Sequence, residues 1–407
     1  MKKSYIYFFT VCFSLIALTA CTSPMKNASA TQNDYSLIGK DRQDTLKIVK
    51  DYYYFNQLSN EEKENYLILR KKASQFKDTI SLSPASSESI FKTIDAFVMD
   101  NPDLYWLTSA PYKIESSSSN VFVEFEVPED AKETYGRLQD IGNQILAQAP
   151  KEDDYQKVLY FYNYIIKNTD YNKEAFDAFK SGDEALVAQN QDIKSVFMDH
   201  LSVCNGYAQA FQFLCQKAGI ESLYVRGSVT SAQSQEEVRH AWNLVKLKNK
   251  FYAVDSTWGD PVFENNLSGH NQEAINYNFL CLPDKILNIS HKASSDITYQ
   301  DHKSLKNVWK YPVCDDDSLL YSKLNGYYAD HFDNKILSKL LKNQLEEGKP
   351  NPALQMSSEA DYKVLSQDIE ANSQFYHNLF KAYWPQYTGF SYSTSPETYS
   401  ISFSQSN

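Results

Sequence analysis

The fold is predicted from one segment, Ser202-Val203-Cys204-Asn205-Gly206-Tyr207-Ala208-Gln209-Ala210-Phe211. Its apolar residues continue at helical spacing towards Gly219, which predicts a helix with Ser202 as N-cap and Gly219 as the C′ terminator. The members of this apolar stripe are Tyr207, Phe211, Leu214, Cys215 and Ala218. Cys204 is therefore expected in the first turn of a helix.

Cys204 has two interpretations. A free cysteine taken alone is most often a buried, inert core residue. In the first turn of a helix, however, unpaired backbone N–H groups and the positive end of the helix dipole stabilise the thiolate, which is the nucleophilic form. The same N–H groups can later donate to an oxyanion. The position of Cys204 favours a nucleophile, provided that the fold brings a base to it.

Two further segments supply candidate partners for this cysteine. They are His240-Ala241-Trp242-Asn243-Leu244-Val245-Lys246-Leu247 and Phe251-Tyr252-Ala253-Val254-Asp255-Ser256-Thr257-Trp258-Gly259-Asp260-Pro261. If Lys248-Asn249 forms a two-residue hairpin loop between them, Trp242 lies opposite Asp255. His240 then projects from the same face as Trp242 and is a diagonal neighbour of Asp255, with ~7–8 Å between their backbones. A slip of one residue in this register would separate the two side chains.

The sequence thus offers a nucleophile, a base and a residue to orient the base, the arrangement used in acyl transfer. It resembles the transglutaminase-like superfamily, particularly its secreted bacterial members. The resemblance covers about residues 150–290 and rests on V-C-x-G-Y-A from Val203, H-A-W-N-x-V from His240 and V-D-x-T-W-x-D-P from Val254. It implies a fold related to papain-like cysteine proteases, catalytic roles for Cys204, His240 and Asp255, and amide chemistry that needs no cofactor.

Two departures from the family pattern concern the loop before the nucleophile. Many relatives carry glycine two residues before the cysteine, where this chain has Ser202. The papain-type glutamine six residues before the cysteine is replaced by Met198. The second donor to the oxyanion is therefore unidentified from the sequence.

A metal site is the competing chemical interpretation, because cysteine, histidine and aspartate all ligate zinc. Only three such ligands converge and no HExxH motif occurs, so no metal is expected. Asp315-Asp316-Asp317 lacks the glycine and distal glutamate of a calcium loop and is interpreted as a solvated turn or helix start. Trp242 and Trp258 are expected to pack around the site. The cysteines expected in the core are Cys215, Cys281 and Cys314.

The predicted fold class is α+β, with the nucleophile helix packed on an antiparallel sheet and two smaller α+β domains beside this core. The domains are expected at 41–140, 150–300 and 301–407. Ser83-Pro84 predicts the start of a helix that ends at Asn101-Pro102. Alternation from Val121 to Val127 predicts a strand. Further helices are predicted at 153–167, about 333–346 and about 370–383, and a strand around 399–403.

The N-terminus is typical of an export signal. Lys2 and Lys3 precede an apolar segment that reaches Ala20, and Leu18-Thr19-Ala20-Cys21 resembles a bacterial lipobox. We therefore expect that residues 1–20 are removed and that Cys21 carries a lipid anchor in the cell membrane, with the protein on the extracytoplasmic face. Residues 21–40 are polar and without periodicity, which favours a flexible tether.

Composition narrows the function. The 40 Lys and Arg against 51 Asp and Glu give a formal charge of -11 without a basic run, which argues against a nucleic-acid partner. The sequence predicts a lipid-anchored cysteine acyltransferase or hydrolase acting on protein or peptide amides, with glutamine side chains and cell-wall or surface proteins as candidate substrates. Two alternatives stay open, a non-catalytic surface adhesin or scaffold and a cell-wall peptide hydrolase with the same triad.

Overall fold

The computed structural model describes residues 37–109, 112–116, 121–181, 185–232, 235–260, 275–298 and 304–406. The predicted signal segment and Cys21 lie outside these residues. No helix within the described ranges is long and apolar enough to cross a membrane.

Helices packed on a small antiparallel sheet form the N-terminal part. The helices are α1 (Gly39–Val49), α2 (Asn60–Ala73), α3 (Ser87–Asp100), α4 (Trp106–Ser109) and α5 (Ala131–Gln148), with a 3-10 turn at Phe55–Gln57. The strands β1 (Thr79–Leu82), β2 (Tyr112–Ser116) and β3 (Val121–Phe125) follow the order β1-β3-β2. The helix predicted after Ser83 is confirmed, but it begins later because the side chain of Ser86 accepts the capping hydrogen bond from the backbone of Ser89.

The central part combines helices with a larger antiparallel sheet. Its helices are α6 (Asp154–Asn168), α7 (Lys173–Ser181), α8 (Ala185–Ala188), α9 (Ile193–Phe197), α10 (Cys204–Lys217) and α11 (Asp284–Leu287), with a 3-10 turn at Tyr277–Phe279. The strands β6 (Ser222–Thr230), β7 (Glu237–Leu247), β8 (Lys250–Val254), β9 (Leu280–Leu282) and β10 (His291–Ala293) follow the order β10-β6-β7-β8-β9. Short pairs are formed by β4 (Asp170–Tyr171) with β5 (Leu201–Ser202) and by β11 (Ile297–Thr298) with β12 (Ser304–Leu305).

Helix α10 is the buried centre of this part and packs against β7 and β6. Its end is the predicted one: Gly219 has φ +72°, and the N–H groups of Gly219 and Ile220 donate to the carbonyls of Gln216 and Cys215 as a Schellman motif requires. Its start differs by one residue. Val203 is the N-cap, because the Ser202 hydroxyl is engaged in a buried network with Ser195 and the carbonyl of Asn190. The α+β class with a nucleophile helix on an antiparallel sheet is confirmed.

The C-terminal part is a second α+β arrangement. It contains α12 (Tyr321–Leu324), α13 (Asn334–Glu346), α14 (Glu359–Ala371) and α15 (Ser373–Lys381), with β13 (Tyr328–Ala329), β14 (Ala353–Met356), β15 (Phe390–Ser395) and β16 (Ser400–Gln405). The predicted helix at 333–346 is confirmed, whereas the one expected from about 370 is the second of two helices that meet at Asn372. The final strand pairs with β15 after the 3-10 turn at Pro396–Thr398.

Two hydrophobic cores account for the packing of the residues that the structure describes. The first runs from Val49 to Leu320 without a break between the N-terminal and central parts. The second runs from Ala329 to Phe403. The division into domains at 41–140, 150–300 and 301–407 stays a prediction. Just before the second core, each aspartate of Asp315-Asp316-Asp317 has its own partner: Lys250, the Tyr252 hydroxyl, and the pair Lys285 and Lys323.

Candidate active site

Cys204 is the first residue of α10 and is partly exposed, unlike the other described cysteines. The N–H groups of the first helical turn have no partner within the helix and point towards its N-terminal end. Cys204 also lines a cavity of about 600 Å³. The thiol therefore has solvent access and lies at the end of the helix where backbone N–H groups are available as donors.

The predicted hairpin brings His240 to Asp255. Leu247 pairs with Lys250, and both loop residues Lys248 and Asn249 have positive φ, as a tight two-residue turn requires. The strand pairing reaches Asn243 opposite Val254. The same antiparallel register, continued by one residue, puts Trp242 opposite Asp255, as expected. His240 Nε2 lies 2.6 Å from Asp255 Oδ2, and both side chains are almost fully buried.

Charge interactions decide the protonation of this pair. Burial lowers the pKa of the His240 ring, but the charge and hydrogen bond of Asp255, together with those of Cys204, overcome it and raise that pKa to about 10. Burial raises the pKa of the Asp255 carboxyl, but His240 and then His291 hold it well below its ordinary range. At neutral pH the pair is therefore an imidazolium beside a carboxylate, and Cys204 interacts with the same ring.

His291 is a member of this cluster that the sequence did not reveal. It is the first residue of β10, and its Nε2 lies 2.9 Å from the same Asp255 Oδ2 that His240 contacts. Burial lowers the pKa of the His291 ring and the charge of His240 lowers it further, against the opposing effect of Asp255, so this ring is neutral at neutral pH. No motif marks His291, because it lies 36 positions after Asp255 in the chain.

The nearest ligand atoms of His240, Asp255 and His291 lie within 4.8 Å of one another, the closeness that a cation site would also need. Both histidine nitrogens, however, meet one carboxylate oxygen at hydrogen-bond distance. These contacts are those of a proton-sharing network, and the arrangement is complete with protons alone.

Motif residues outside the triad hold the three segments together. The Tyr207 hydroxyl of the first motif donates to Asp260 Oδ2 of the third at 2.6 Å. The Asn243 amide of the second motif donates to the carbonyl of Ala208 in the first at 2.9 Å. Gly259 is required because a Cβ there would lie 1.9 Å from the Tyr162 hydroxyl. The motifs thus fix the position of the helix relative to both strands.

Trp242 and Trp258 are buried around the catalytic ring, as predicted. Their rings lie 6.2 and 6.0 Å from the His240 ring. Cys215, Cys281 and Cys314 are buried free thiols in the core, which agrees with their predicted packing role. These apolar surroundings exclude water from the His240–Asp255 hydrogen bond and so strengthen it.

Buried polar side chains form a second network beside the nucleophile. The Tyr224 hydroxyl donates to Asn205 Oδ1, and Asn205 Nδ2 donates to Gln191 Oε1 at 3.2 Å. All three residues line the same cavity as Cys204. Because Gln191 accepts through its oxygen, its amide NH₂ is turned away from Asn205. Gln191 lies 13 positions before the cysteine rather than six, which is why the papain spacing did not identify it.

The N-terminal part supports one wall of the cavity. Arg226 of β6 lines the cavity and is held by both oxygens of Asp95 on α3, at 2.9 and 2.8 Å. Trp309 Nε1 donates to the same carboxylate at 2.8 Å. The N-terminal helices are therefore part of the architecture of the cleft.

Comparison with known proteins shows that the segment containing the site is similar to one protein family. The model of the transglutaminase-like superfamily matches residues 141–256, a range that includes Cys204, His240 and Asp255. Kyphoscoliosis peptidase of Homo sapiens is 28% identical over 138 residues, which are 32% of this chain and 19% of that protein. The Mus musculus protein of the same name is 26% identical over 167 residues, which are 38% of this chain and 22% of that protein. This chain therefore aligns with about a fifth of the length of these relatives.

Similarity to solved structures is low. A crystal structure described as that of a TGase has a TM-score of 0.28 at 14% identity, with 47% of this chain and 53% of that chain covered. The periplasmic domain of TgpA from Pseudomonas aeruginosa, bound to ethylmercury, has a TM-score of 0.22 at 14% identity, with coverage of 35% and 56%. Structural similarity at this level does not indicate a function.

Proposed function

We propose that this protein is a thiol acyltransferase or hydrolase of protein or peptide amides, because the model of the transglutaminase-like superfamily matches its segment 141–256. Cys204 is the nucleophile, His240 the acid and base, and Asp255 the residue that orients His240. The observation that carries this proposal is the buried 2.6 Å contact between His240 and Asp255, with the ring directed at the cysteine that begins α10.

The first half of the reaction forms an acyl-enzyme. The Cys204 thiolate attacks the carbonyl carbon of the amide and forms a C–S bond, while the π electron pair of the C=O bond moves onto the carbonyl oxygen. The backbone N–H of Cys204 and the Gln191 amide NH₂ donate to this oxyanion, so that Gln191 is the second donor. When the tetrahedral intermediate collapses, His240 gives its proton to the departing amine and a thioester remains.

The second half of the reaction resolves the thioester. Neutral His240 takes a proton from water or from an amine as either attacks the thioester carbonyl, and the Cys204 thiolate leaves. Water gives a carboxylic acid, whereas a lysine-type amine gives a new amide bond. Asp255 stabilises the imidazolium that is regenerated and keeps the ring oriented throughout the cycle.

We further propose that the enzyme works at the membrane surface outside the cytoplasm. The support is the sequence from Leu18 to Cys21 and the polar segment that follows it. Two acyl chains on one cysteine anchor a protein stably where a single chain would not. Its substrates are then proteins or peptides of the cell envelope or its surroundings.

Two assays on the purified protein test the reaction class. One measures incorporation of a fluorescent primary amine into a glutamine-containing protein such as casein, and the other measures cleavage of casein and of cell-wall muropeptides. Incorporation that depends on Cys204 identifies an acyltransferase, and cleavage that depends on Cys204 identifies a hydrolase.

The control is the Cys204→Ala variant, with Cys215→Ala as a matched change of a buried thiol. Turnover that survives Cys204→Ala would refute the assigned nucleophile. A wild-type protein without turnover in either assay and with a slow-reacting Cys204 would identify a scaffold instead.

A further inference from the structure

Two histidines contact one carboxylate oxygen of Asp255, and only His240 belongs to the proposed triad. His240 Nε2 and His291 Nε2 lie 2.6 and 2.9 Å from Asp255 Oδ2. The other oxygen, Oδ1, accepts from the backbone N–H groups of Thr257 and Trp258 at 2.9 and 3.0 Å. Each carboxylate oxygen therefore has two donors, and the carboxylate has no acceptor position left for water.

The tautomer of His291 follows from its neighbours. An ionised carboxylate only accepts hydrogen bonds, so the His291 nitrogen that faces Asp255 must carry a proton. A neutral ring has one N–H, so Nδ1 is an acceptor. The Ser290 hydroxyl lies 2.8 Å from His291 Nδ1 and donates to it. The Asp255 carboxylate thus sets the tautomer of His291, and the Ser290 hydroxyl provides the hydrogen bond to Nδ1 that this tautomer can accept.

We propose that His291 is a positioning residue for the reaction, which holds the Asp255 carboxylate in the orientation that keeps His240 directed at Cys204. The proposal rests on the proposed function of Cys204. It extends the triad to a continuous chain from Ser290 through His291, Asp255 and His240 to the thiol. His291 does not touch the substrate and exchanges no proton with it.

The fold makes this contact rigid. The side chain of His291 is fully buried, and the ring packs against Trp258 at 4.9 Å and Trp242 at 5.0 Å. Strand β10 approaches β6 closely at Gly227, where a Cβ would lie 2.2 Å from the carbonyl oxygen of Lys292. Gly227 pairs with His240 across β6 and β7. The same close approach thus brings the two histidines together.

Two tyrosines also interact with the Asp255 carboxylate, and both stay neutral over the working pH range. They are Tyr162 of α6 and Tyr171 of β4, which interact with Asp255, and burial raises the pKa of both hydroxyls well above the ordinary value. Neither tyrosine therefore contributes to a change in the pH profile of Cys204 between pH 5 and 10.

The experiment measures the rate at which iodoacetate alkylates Cys204 in the purified protein as a function of pH. Iodoacetate is an anion and reacts fastest when a thiolate stands beside an imidazolium, so the rate falls again at high pH as His240 loses its proton. We expect the alkaline limb of this profile to move to lower pH by about one unit or more in His291→Phe, which is about a tenfold loss of rate on that limb. His291→Gln, whose amide can donate to Asp255, should restore most of the profile, and Ser290→Ala should give a smaller shift in the same direction.

Phe279→Leu is the control for packing, because Phe279 is buried against the His291 ring but makes no side-chain hydrogen bond with it. A profile of His291→Phe that superimposes on the wild type, with only a lower melting temperature, would overturn the proposal. If His291→Phe does not fold, the Ser290→Ala variant tests the proposal instead. A shift of its alkaline limb to lower pH supports the proposal, and an alkylation profile equal to that of the wild type overturns it. Failure of the proposed function looks different, since Cys204 of the wild type would then show no rapid alkylation at all.

Discussion

Replacing Asp255 with asparagine tests the electrostatic core of the site. The pKa of His240 is about 10 in the folded protein against an ordinary value near 6.5. At 1.36 kcal/mol for each pH unit, the imidazolium is stabilised by about 5 kcal/mol. An asparagine has no charge, so the main interaction that offsets the burial of the charged ring is lost and only the smaller contribution of Cys204 remains. We expect His240 to be neutral at pH 7 in this variant.

The sign of the effect on stability follows from both partners. Because the pKa of His240 is raised on folding, its contribution is fully present below about pH 6.5 and is lost as the pH rises through about 10. Because the pKa of Asp255 is lowered on folding, its contribution is fully present above about pH 4 and is lost in stronger acid. The pair therefore stabilises the protein most between about pH 4 and 6.5.

Urea unfolding of the wild type and Asp255→Asn at several pH values measures this difference. We expect the variant to be less stable by about 3–5 kcal/mol at pH 6, the cost of breaking a buried ion pair. The difference in unfolding free energy between the wild type and Asp255→Asn should become smaller towards pH 10. The control is Asp315→Asn, which removes a carboxylate from an exposed pair with Lys250. A stability gap that does not change between pH 6 and 10 would refute the assigned ion pair.

Two further predictions concern the surroundings of the triad, and a third concerns the lipid anchor. Gln191→Ala should lower amide turnover by about 10²–10³-fold, as expected for loss of one oxyanion donor, while the alkylation rate of Cys204 stays unchanged; equal losses in both assays would contradict that role. Gly227→Ala should destabilise the protein by about 1–3 kcal/mol in urea unfolding, because its Cβ would meet the backbone of β10. Gly136→Ala on α5, which has open space, serves as its control and should stabilise by about 0.5–1 kcal/mol. Cys21→Ala should move the protein from the detergent phase to the aqueous phase in Triton X-114 partitioning, and continued detergent partitioning would argue against Cys21 as the anchor.

Local patterns predicted the hairpin and the helix of the candidate site well. The two-residue loop at Lys248-Asn249 fixes the register of the hairpin, and side-chain alternation then determines which residues face Asp255. The helix from Cys204 to Lys217 follows from its apolar stripe and from Gly219. The start of that helix was wrong by one residue. Ser202 is a good N-cap by residue type, but its hydroxyl is committed to tertiary hydrogen bonds that the local sequence does not contain.

Contacts between distant segments account for what the sequence missed. His291 reaches Asp255 only because β10 pairs with β6, and Gln191 reaches the cavity beside Cys204 through Asn205. Neither residue lies in a motif, and a pairing between short, separated strands leaves little signal in one sequence. Likewise, Asp95 supports the cleft from the N-terminal part through Arg226. These contacts depend on how whole elements pack, which hydrophobic periodicity alone does not specify.

The pairing of Cys204 with His240 is tested most directly by the alkylation rate of Cys204 at pH 6, compared between the wild type and His240→Ala. An ordinary cysteine thiol is only about 0.3% ionised at pH 6 and reacts slowly. If Cys204 and His240 form a catalytic pair, Cys204 should react rapidly in the wild type, and the rate should fall by about 100-fold or more in His240→Ala, because the residue that activates the thiol is removed. Peptide mapping identifies the labelled cysteine. Equal, slow labelling of Cys204 in both proteins would contradict the assignment of Cys204 and His240 as a catalytic pair.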